Sequence, residues 1–237
     1  MSEPTIIREA DAGAIAARAA RIFEQLVKAA IDARGVAHVA LAGGTTPAKA
    51  YELIALPSWS GVELWFGDER CVGPEDPDSN YRMVAETLLG HTGGATVHRI
   101  EAELGAEAAA SAYETELRGR LEMDGAGMAV FDLVLLGIGE DGHTASLFPG
   151  DAVLNARGVA CVPVHNAPKP PPDRVSLALE VLRAARACVL LASGAGKAAA
   201  LAGALGEPTN EVPSSLLARE RLTIIADGDA LGGGADG

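Results

Sequence analysis

The sequence predicts an α/β protein: a three-layer α/β/α sandwich around a mainly parallel sheet. Short β-branched or apolar runs alternate with segments of helical periodicity along the chain, the pattern of repeated strand-helix units. The run FDLVLLG, residues 131–137, is continuously apolar rather than alternating, which suits a central parallel strand covered by helices on both faces. Hydrophobic residues make up 49% of the chain but aromatics only 4%, so the core must be built from Ala, Val, Leu and Ile. Such a core favours helices packed closely on a sheet.

The elements follow in order. Residues 9–33 place Ile15, Ala19, Ile22, Phe23, Leu26, Ala30 and Ile31 on one helical stripe that ends near Gly35. VAHVALAGG reads as a strand stopped by two glycines, and TTPAKAYELIA as a helix whose Pro47 suits its first turn. VELWF is a strand, residues 67–79 a polar, Pro-rich stretch, and residues 80–89 and 105–121 are helices. VACVPVH, RVSLAL, ACVLLAS and LTIIAD are further strands, with helical patterns at 180–185 and 196–204. Consecutive prolines in NAPKPPPDR exclude helix or central strand and give a stiff, positioned loop. At 237 residues the chain suits one domain spanning 1–237, with the acidic, Gly-rich end, 229–237, expected to be disordered.

Four polar clusters stand at predicted strand ends, where open α/β sheets bind ligands. In Gly43-Gly44-Thr45-Thr46-Pro47, glycines let backbone amides approach an anion and hydroxyls add donors; an ordinary turn with a threonine N-cap is the alternative. Asp68-Glu69-Arg70, continuing through Ser79 and Asn80, sets two carboxylates and a guanidinium at the sheet edge; a solvated charge run reads equally well. Gly137 to His143 matches GxGxxG, but Pro149 and Gly150 cut short the helix a dinucleotide motif should open, and the next strand does not end in the ribose-binding acid. What remains is His143, flanked by Glu140 and Asp141, on a tight loop leaving a buried strand. Imidazole is the side chain suited to proton transfer near neutral pH. The last cluster combines Lys169 and Arg174 on the Pro-rich loop with Lys197 in SGAGKAAA. Ala198 and Leu191 depart from a P-loop, so Lys197 is either a point charge for a phosphate or a solvated lysine.

Acidic residues number 32 against 19 basic ones, a net charge of −13 that weighs against nucleic acid or an anionic membrane as partner. No apolar run approaches the roughly 18–20 residues that span a bilayer, and the N-terminus lacks a signal peptide's charged-then-apolar order. Cys71, Cys161 and Cys188 are widely spaced, as reduced thiols are; a cytoplasmic protein is expected. The histidines show no HExxH or HxH pairing, so no metal is expected, and with the dinucleotide and P-loop readings set aside no cofactor is expected. The lack of an extra helix or exposed apolar stripe favours a monomer.

LAGGTTP, WFGDERCVGPEDPDSNYRM, LLGIGEDGHTASLFPG, and KPPPDRVSLAL with GAGKAAAL occur in the order and approximate spacing of a known family. The chain resembles the 6-phosphogluconolactonases, within the broader group that also holds glucosamine-6-phosphate deaminases. The resemblance covers nearly the whole chain. It implies a modified Rossmann-like fold and hydrolysis of 6-phosphoglucono-δ-lactone in the pentose phosphate pathway, with a small phosphorylated sugar lactone as partner. Deaminases carry Asn-Glu-Pro where Leu147-Phe148-Pro149 stands, and Asp-Glu-Tyr where Arg70 stands, so both departures favour the lactonase. Thr45 replaces the more usual serine but keeps a hydroxyl.

On this reading His143 is the general base on water, oriented by Asp141 or Glu140, with Arg70 on substrate oxygens or the developing oxyanion. Gly43, Gly44, Thr45, Arg174 and Lys197 hold the phosphate, and Asp68 and Asn80 order the pocket. A non-catalytic sugar-phosphate sensor is the reading from another class; the presence of Asp141, His143 and Arg70 weighs against it.

Overall fold

Asp11 starts the first helix by accepting a hydrogen bond from the Ala14 N–H at 2.9 Å, and Gly35, at φ 76°, ends it in the left-handed conformation. Between these caps α1 (Ala12–Arg34) turns Ile15, Ala19, Phe23, Val27 and Ala30 into the core. The expected start at residue 9 was too early, because Thr5–Glu9 forms a strand, β1, parallel to the last strand of the chain. Five residues with an exposed Ile6 carry little strand signal of their own; their pairing partner lies more than 200 residues away in sequence. The computed structural model describes residues 3–233.

The chain continues through β2 (Ala37–Leu41), α2 (Thr45–Tyr51), β3 (Val62–Phe66), β4 (Asp68–Arg70), α3 (Asn80–Thr87), β5 (Thr96–Val97), α4 (Ala106–Arg120) and β6 (Leu133–Gly137). It closes with β7 (Cys161–Val164), β8 (Arg174–Leu177), α5 (Leu179–Ala184), β9 (Cys188–Ala192), α6 (Ala198–Leu205) and β10 (Leu222–Asp227). Among the described residues seven strands form one sheet in the order β1-β10-β9-β6-β2-β3-β5, and every neighbouring pair is parallel. β2 and β9 are buried at every position, as coverage of both sheet faces requires. Helix α1 lies across β2, β6, β9 and β10 with α2 beside it. Among the described residues no helix is long and apolar enough to cross a membrane.

VACVPVH and RVSLAL do not join that sheet. With β4 they form a separate antiparallel sheet in the order β4-β8-β7. No crossover helix lies between β7 and β8, so the two can pair only as a hairpin, and Pro163, which lacks an N–H, sits in the edge strand. The polar 67–79 stretch therefore contains a strand, and Arg174 opens β8 instead of riding the loop before it. Helix α4 packs on β7 and β8.

The expected disorder from Asp229 does not hold for residues 229–233. Asp227 accepts from the Ala230 N–H at 2.8 Å, Ala230 is fully buried and Leu231 packs on the core. Residues 234–237 lie outside the described residues.

Two buried tyrosines brace the sheet where β2 and β3 end. The Tyr51 hydroxyl accepts from the Ala42 N–H at 2.8 Å and donates to the Ala42 carbonyl at 2.9 Å; Tyr113 makes the same pair with Phe66 at 2.8 and 3.1 Å. Burial pushes both phenols above their usual range, which keeps them protonated as donors. Each closes both backbone groups of one residue, Ala42 just past β2 and Phe66 at the end of β3, immediately before Gly43 and Gly67. Tyr51→Phe leaves the Ala42 N–H and carbonyl buried without that partner, so denaturant unfolding should show a loss of about 1–3 kcal/mol; an unchanged midpoint would contradict the bracing role.

Candidate active site

A cleft of about 340 Å³ opens where β2, β6 and β9 reach their C-terminal ends, roofed by β4, β8 and the Pro-rich loop. The sheet order places β2 and β9 on either side of β6. The loops after these strands diverge around one crevice, the general ligand position in open α/β sheets.

Gly43 and Gly44 lead β2 into α2. A Cβ at Gly43 would overlap the Asn80 side-chain amide, and Gly44 sits at φ 104°, so the backbone path past Asn80 depends on glycine at both. The threonine cap of the alternative reading is not seen: Gly44 is the N-cap, without a side-chain cap bond. Thr45 and Thr46 line the cleft instead.

Strand alternation sorts the Asp68-Glu69-Arg70 cluster. Asp68 and Arg70 face the cleft. Glu69 faces the other way and accepts from the Arg70, Asn80 and Tyr81 N–H groups and the Ser79 hydroxyl at 2.7–3.0 Å. Burial raises the Glu69 pKa, against the pull of those amides. It is the tie between β4 and the start of α3. Buried Asp68 accepts from Ser146 Oγ at 2.6 Å and from Asn80 Nδ2 at 3.3 Å, so Asn80 orders the pocket wall from the α3 side.

Arg70 and Arg174 are direct cross-strand partners in the β4–β8 ladder, and both line the cleft. Like charges placed directly opposite destabilise a sheet pair. Each guanidinium is held by backbone carbonyls, Arg70 by Asp78 at 2.6 Å and Arg174 by Pro171 and Lys169 at 3.1 and 2.9 Å. Arg70 Nε is buried without a hydrogen-bond partner among the described residues. Burial, and then the charge of Arg70, lower the Arg174 pKa. Lys169 and Lys197 line the same cleft. Of these four cations none makes a salt bridge among the described residues, and Asp68 is the carboxylate in the lining. The arrangement concentrates positive potential in the cleft.

His143 lies in the cleft with its side chain 19% exposed, and its Nδ1 stands 2.6 Å from Asp141 Oδ1. A carboxylate partner fixes the Nδ1–H tautomer, which leaves Nε2 as an acceptor. Burial alone would raise the Asp141 pKa, but the charge and hydrogen bond of His143 outweigh it and hold the carboxyl below its usual range. Glu140 makes no bond to His143; its carboxylate lies against Gly196 instead. Of the two acids the sequence offers, the geometry pairs Asp141 with the imidazole. A Cβ at Gly139 would overlap both the His143 ring and the Asp141 carboxylate, so the pair folds back over a residue that must be glycine.

Several residues take their place in the site only through the fold. The Phe148 ring centroid is 4.7 Å from that of His143 and 5.4 Å from the Arg174 guanidinium carbon, so one apolar ring lies beside both the imidazole and Arg174. Ser146 reaches Asp68 across 78 positions. Ser193 lines the cleft and donates to Asp227, which also accepts from the Gly194 N–H and so holds the turn carrying Lys197. An acid closing a strand, as in LTIIAD, was the available hint for Asp227. Among the described residues no three His, Cys, Asp or Glu side chains converge as a metal site.

Together these groups form an Asp141-oriented imidazole facing a cleft lined by four cationic side chains. Residues 10–225 match the family model for glucosamine-6-phosphate isomerases/6-phosphogluconolactonase. The 6-phosphogluconolactonase of Streptomyces coelicolor is 38% identical over 203 residues, covering 80% of this chain and 77% of that protein. That of Mycobacterium bovis is 34% identical over 234 residues, covering 93% and 94%. The structure of 6-phosphogluconolactonase from Trypanosoma brucei superposes with a TM-score of 0.89 at 27% identity, covering 98% of this chain and 99% of the other. By sequence and fold alike, the chain belongs to the glucosamine-6-phosphate isomerase/6-phosphogluconolactonase family.

Proposed function

We propose that this chain hydrolyses 6-phospho-D-glucono-1,5-lactone to 6-phosphogluconate, the lactonase step of the pentose phosphate pathway. The observation that carries the reading is the meeting, in one cleft, of an Asp141-oriented imidazole with the opposed Arg70 and Arg174. The relatives of this chain that bear the lactonase name support the substrate.

His143 Nε2 takes a proton from water as its oxygen bonds to the lactone carbonyl carbon, giving a tetrahedral oxyanion. When the bond from that carbon to the ring oxygen breaks, the imidazolium returns the proton to the ring oxygen. The products are a free hydroxyl and a carboxylic acid, which ionises to the carboxylate by releasing its proton to solvent, with the phosphate untouched. Arg70 and Arg174 supply charge-assisted donors to substrate oxygens and the oxyanion, while Lys197, Gly43, Gly44 and Thr45 hold the phosphate. Lys169 adds charge from the Pro-rich loop. Asp68 and Asn80 keep β4 and α3 in register at the pocket wall. A δ-lactone opens without a catalyst, so positioning and one base suffice.

Phe148 also bears on the choice between the family's activities, because an apolar ring, and no second carboxylate, lies against His143. That suits a reaction needing one base. The −13 net charge remains compatible with an anionic substrate, because the cations are local to the cleft. Three free thiols, two of them buried, suit a reducing compartment such as the cytoplasm.

Purified protein given fresh lactone should consume it well above the spontaneous rate, and given glucosamine 6-phosphate should release no ammonia. Ammonia release would favour the deaminase, and binding without turnover a sensor. His143→Ala should lower kcat by about 10²-fold or more with the thermal midpoint unmoved; near-parental turnover would sink the base assignment. Lys197→Ala should raise KM by about 10-fold with little change in kcat, as loss of binding shared by ground and transition states requires. An unchanged KM would remove Lys197 from the phosphate site.

A further inference from the structure

The loop that carries His143 is gripped from behind by a segment outside the cleft. Residues 209–215 run between α6 and β10, and their own shape is closed by the Val212 N–H on the Thr209 carbonyl at 3.2 Å and the Thr209 N–H on Ser215 Oγ at 2.9 Å. This segment reaches the catalytic loop twice through backbone. The Ser214 N–H donates to the Gly142 carbonyl at 3.1 Å, one residue before His143, and the Asn210 carbonyl accepts from the Gly150 N–H at 3.0 Å, two residues after Phe148. The stretch holding His143 and Phe148 is therefore pinned at both ends.

Between the two pins stands one side chain. A Cβ on Gly142 would sit 2.8 Å from Val212 Cγ1, and one on Gly203 of α6 would sit 3.1 Å from Val212 Cγ2. The two γ-methyls of half-buried Val212 thus occupy the space between Gly142 and α6 that a Cβ on either glycine would need. Gly142 is at φ 85°, a conformation in which a side chain is strained, and its amide closes the Gly139 turn at 3.1 Å. That turn sets the Asp141–His143 hydrogen bond. A shift of Gly142 into a vacated γ-methyl volume moves the imidazole relative to a substrate held by Arg70, Arg174 and Lys197. Displacements of about 1 Å at a reacting group cost up to about 10²-fold in rate.

We propose that Val212 is a positioning residue for the hydrolytic reaction: its two γ-methyls wedge Gly142 against α6 and so set where the Asp141–His143 pair stands over the substrate. The inference rests on the reading of His143 as the base. It assigns Val212 a role in kcat and none in substrate binding, since it lies on the far side of the loop from the cleft lining.

The test is a double-mutant cycle on fresh lactone with spontaneous opening subtracted. Val212→Ala should lower kcat by about 10-fold with KM within about 2-fold, whereas Val212→Thr, which keeps both γ positions, should stay within about 2-fold of the parent in kcat. In an Asp141→Asn background, where the pair is already disabled, Val212→Ala should cost no more than about 2-fold further. If Val212→Ala fails to fold, Val212→Cys, which keeps one γ atom, carries the same cycle. A kcat unchanged by the substitution, a loss that falls on KM, or the same factor of loss with and without Asp141 would overturn the proposal, because a merely structural role multiplies through both backgrounds. An active His143→Ala variant would sink the base assignment itself, whereas an inactive one beside a silent Val212→Ala would sink only this inference.

Discussion

Arg70 and Arg174 face each other across an antiparallel ladder, and most of the architecture around the cleft exists to keep them there. Two guanidinium groups in register repel, so the pairing stands only because backbone carbonyls of Asp78, Pro171 and Lys169 take up their N–H groups and because β4 is tied down independently. Glu69 provides that tie. It turns away from the cleft to gather two backbone amides and a serine hydroxyl at the start of α3, together with the Arg70 N–H of its own strand, which fixes the strand carrying Asp68 and Arg70. The small sheet is thus an electrostatic device mounted on the parallel one.

The parallel sheet contributes a different property, the crevice itself. With β2 and β9 flanking β6, the three following loops end around one space, and each loop narrows to glycine where another group must pass close. Gly43 makes room for Asn80, and Gly139 for the Asp141–His143 pair. Buried phenols at the ends of β2 and β3 take up the backbone groups of Ala42 and Phe66, so the loops leave a rigid edge. The cations meet on this edge in a chain whose overall charge is strongly negative. Bulk charge therefore describes the protein's surface and says little about its pocket.

The parts of this arrangement that were legible in the sequence share a physical basis. Helix α1 could be read because its periodicity, its aspartate cap and its terminal glycine are all local. The buried strands β2, β6 and β9 could be read because burial on both faces demands continuous apolar runs. His143 stood out because a titratable ring flanked by two acids and glycines follows the end of such a strand. Strand β1 escaped notice because its stability comes from β10, and residues 229–233 because Ala230 is buried by tertiary contact, with no apolar run to announce it. Phe148, Ser146 and Val212 act through neighbours that only folding supplies.

The sequence by itself therefore determined the α/β class, most of the elements and the residue types able to bind an anion and move a proton, since these follow from short-range pattern and side-chain chemistry. Tertiary structure decided how they combine. It took β7 and β8 out of the parallel sheet, set Arg70 opposite Arg174, sent Glu69 inward and Asp68 to the cleft, and gave His143 to Asp141 while turning Glu140 toward Gly196. Those choices depend on strand register and on which backbones approach closely enough to exclude a Cβ. Both are set by contacts between residues far apart in the chain, where no local pattern records them.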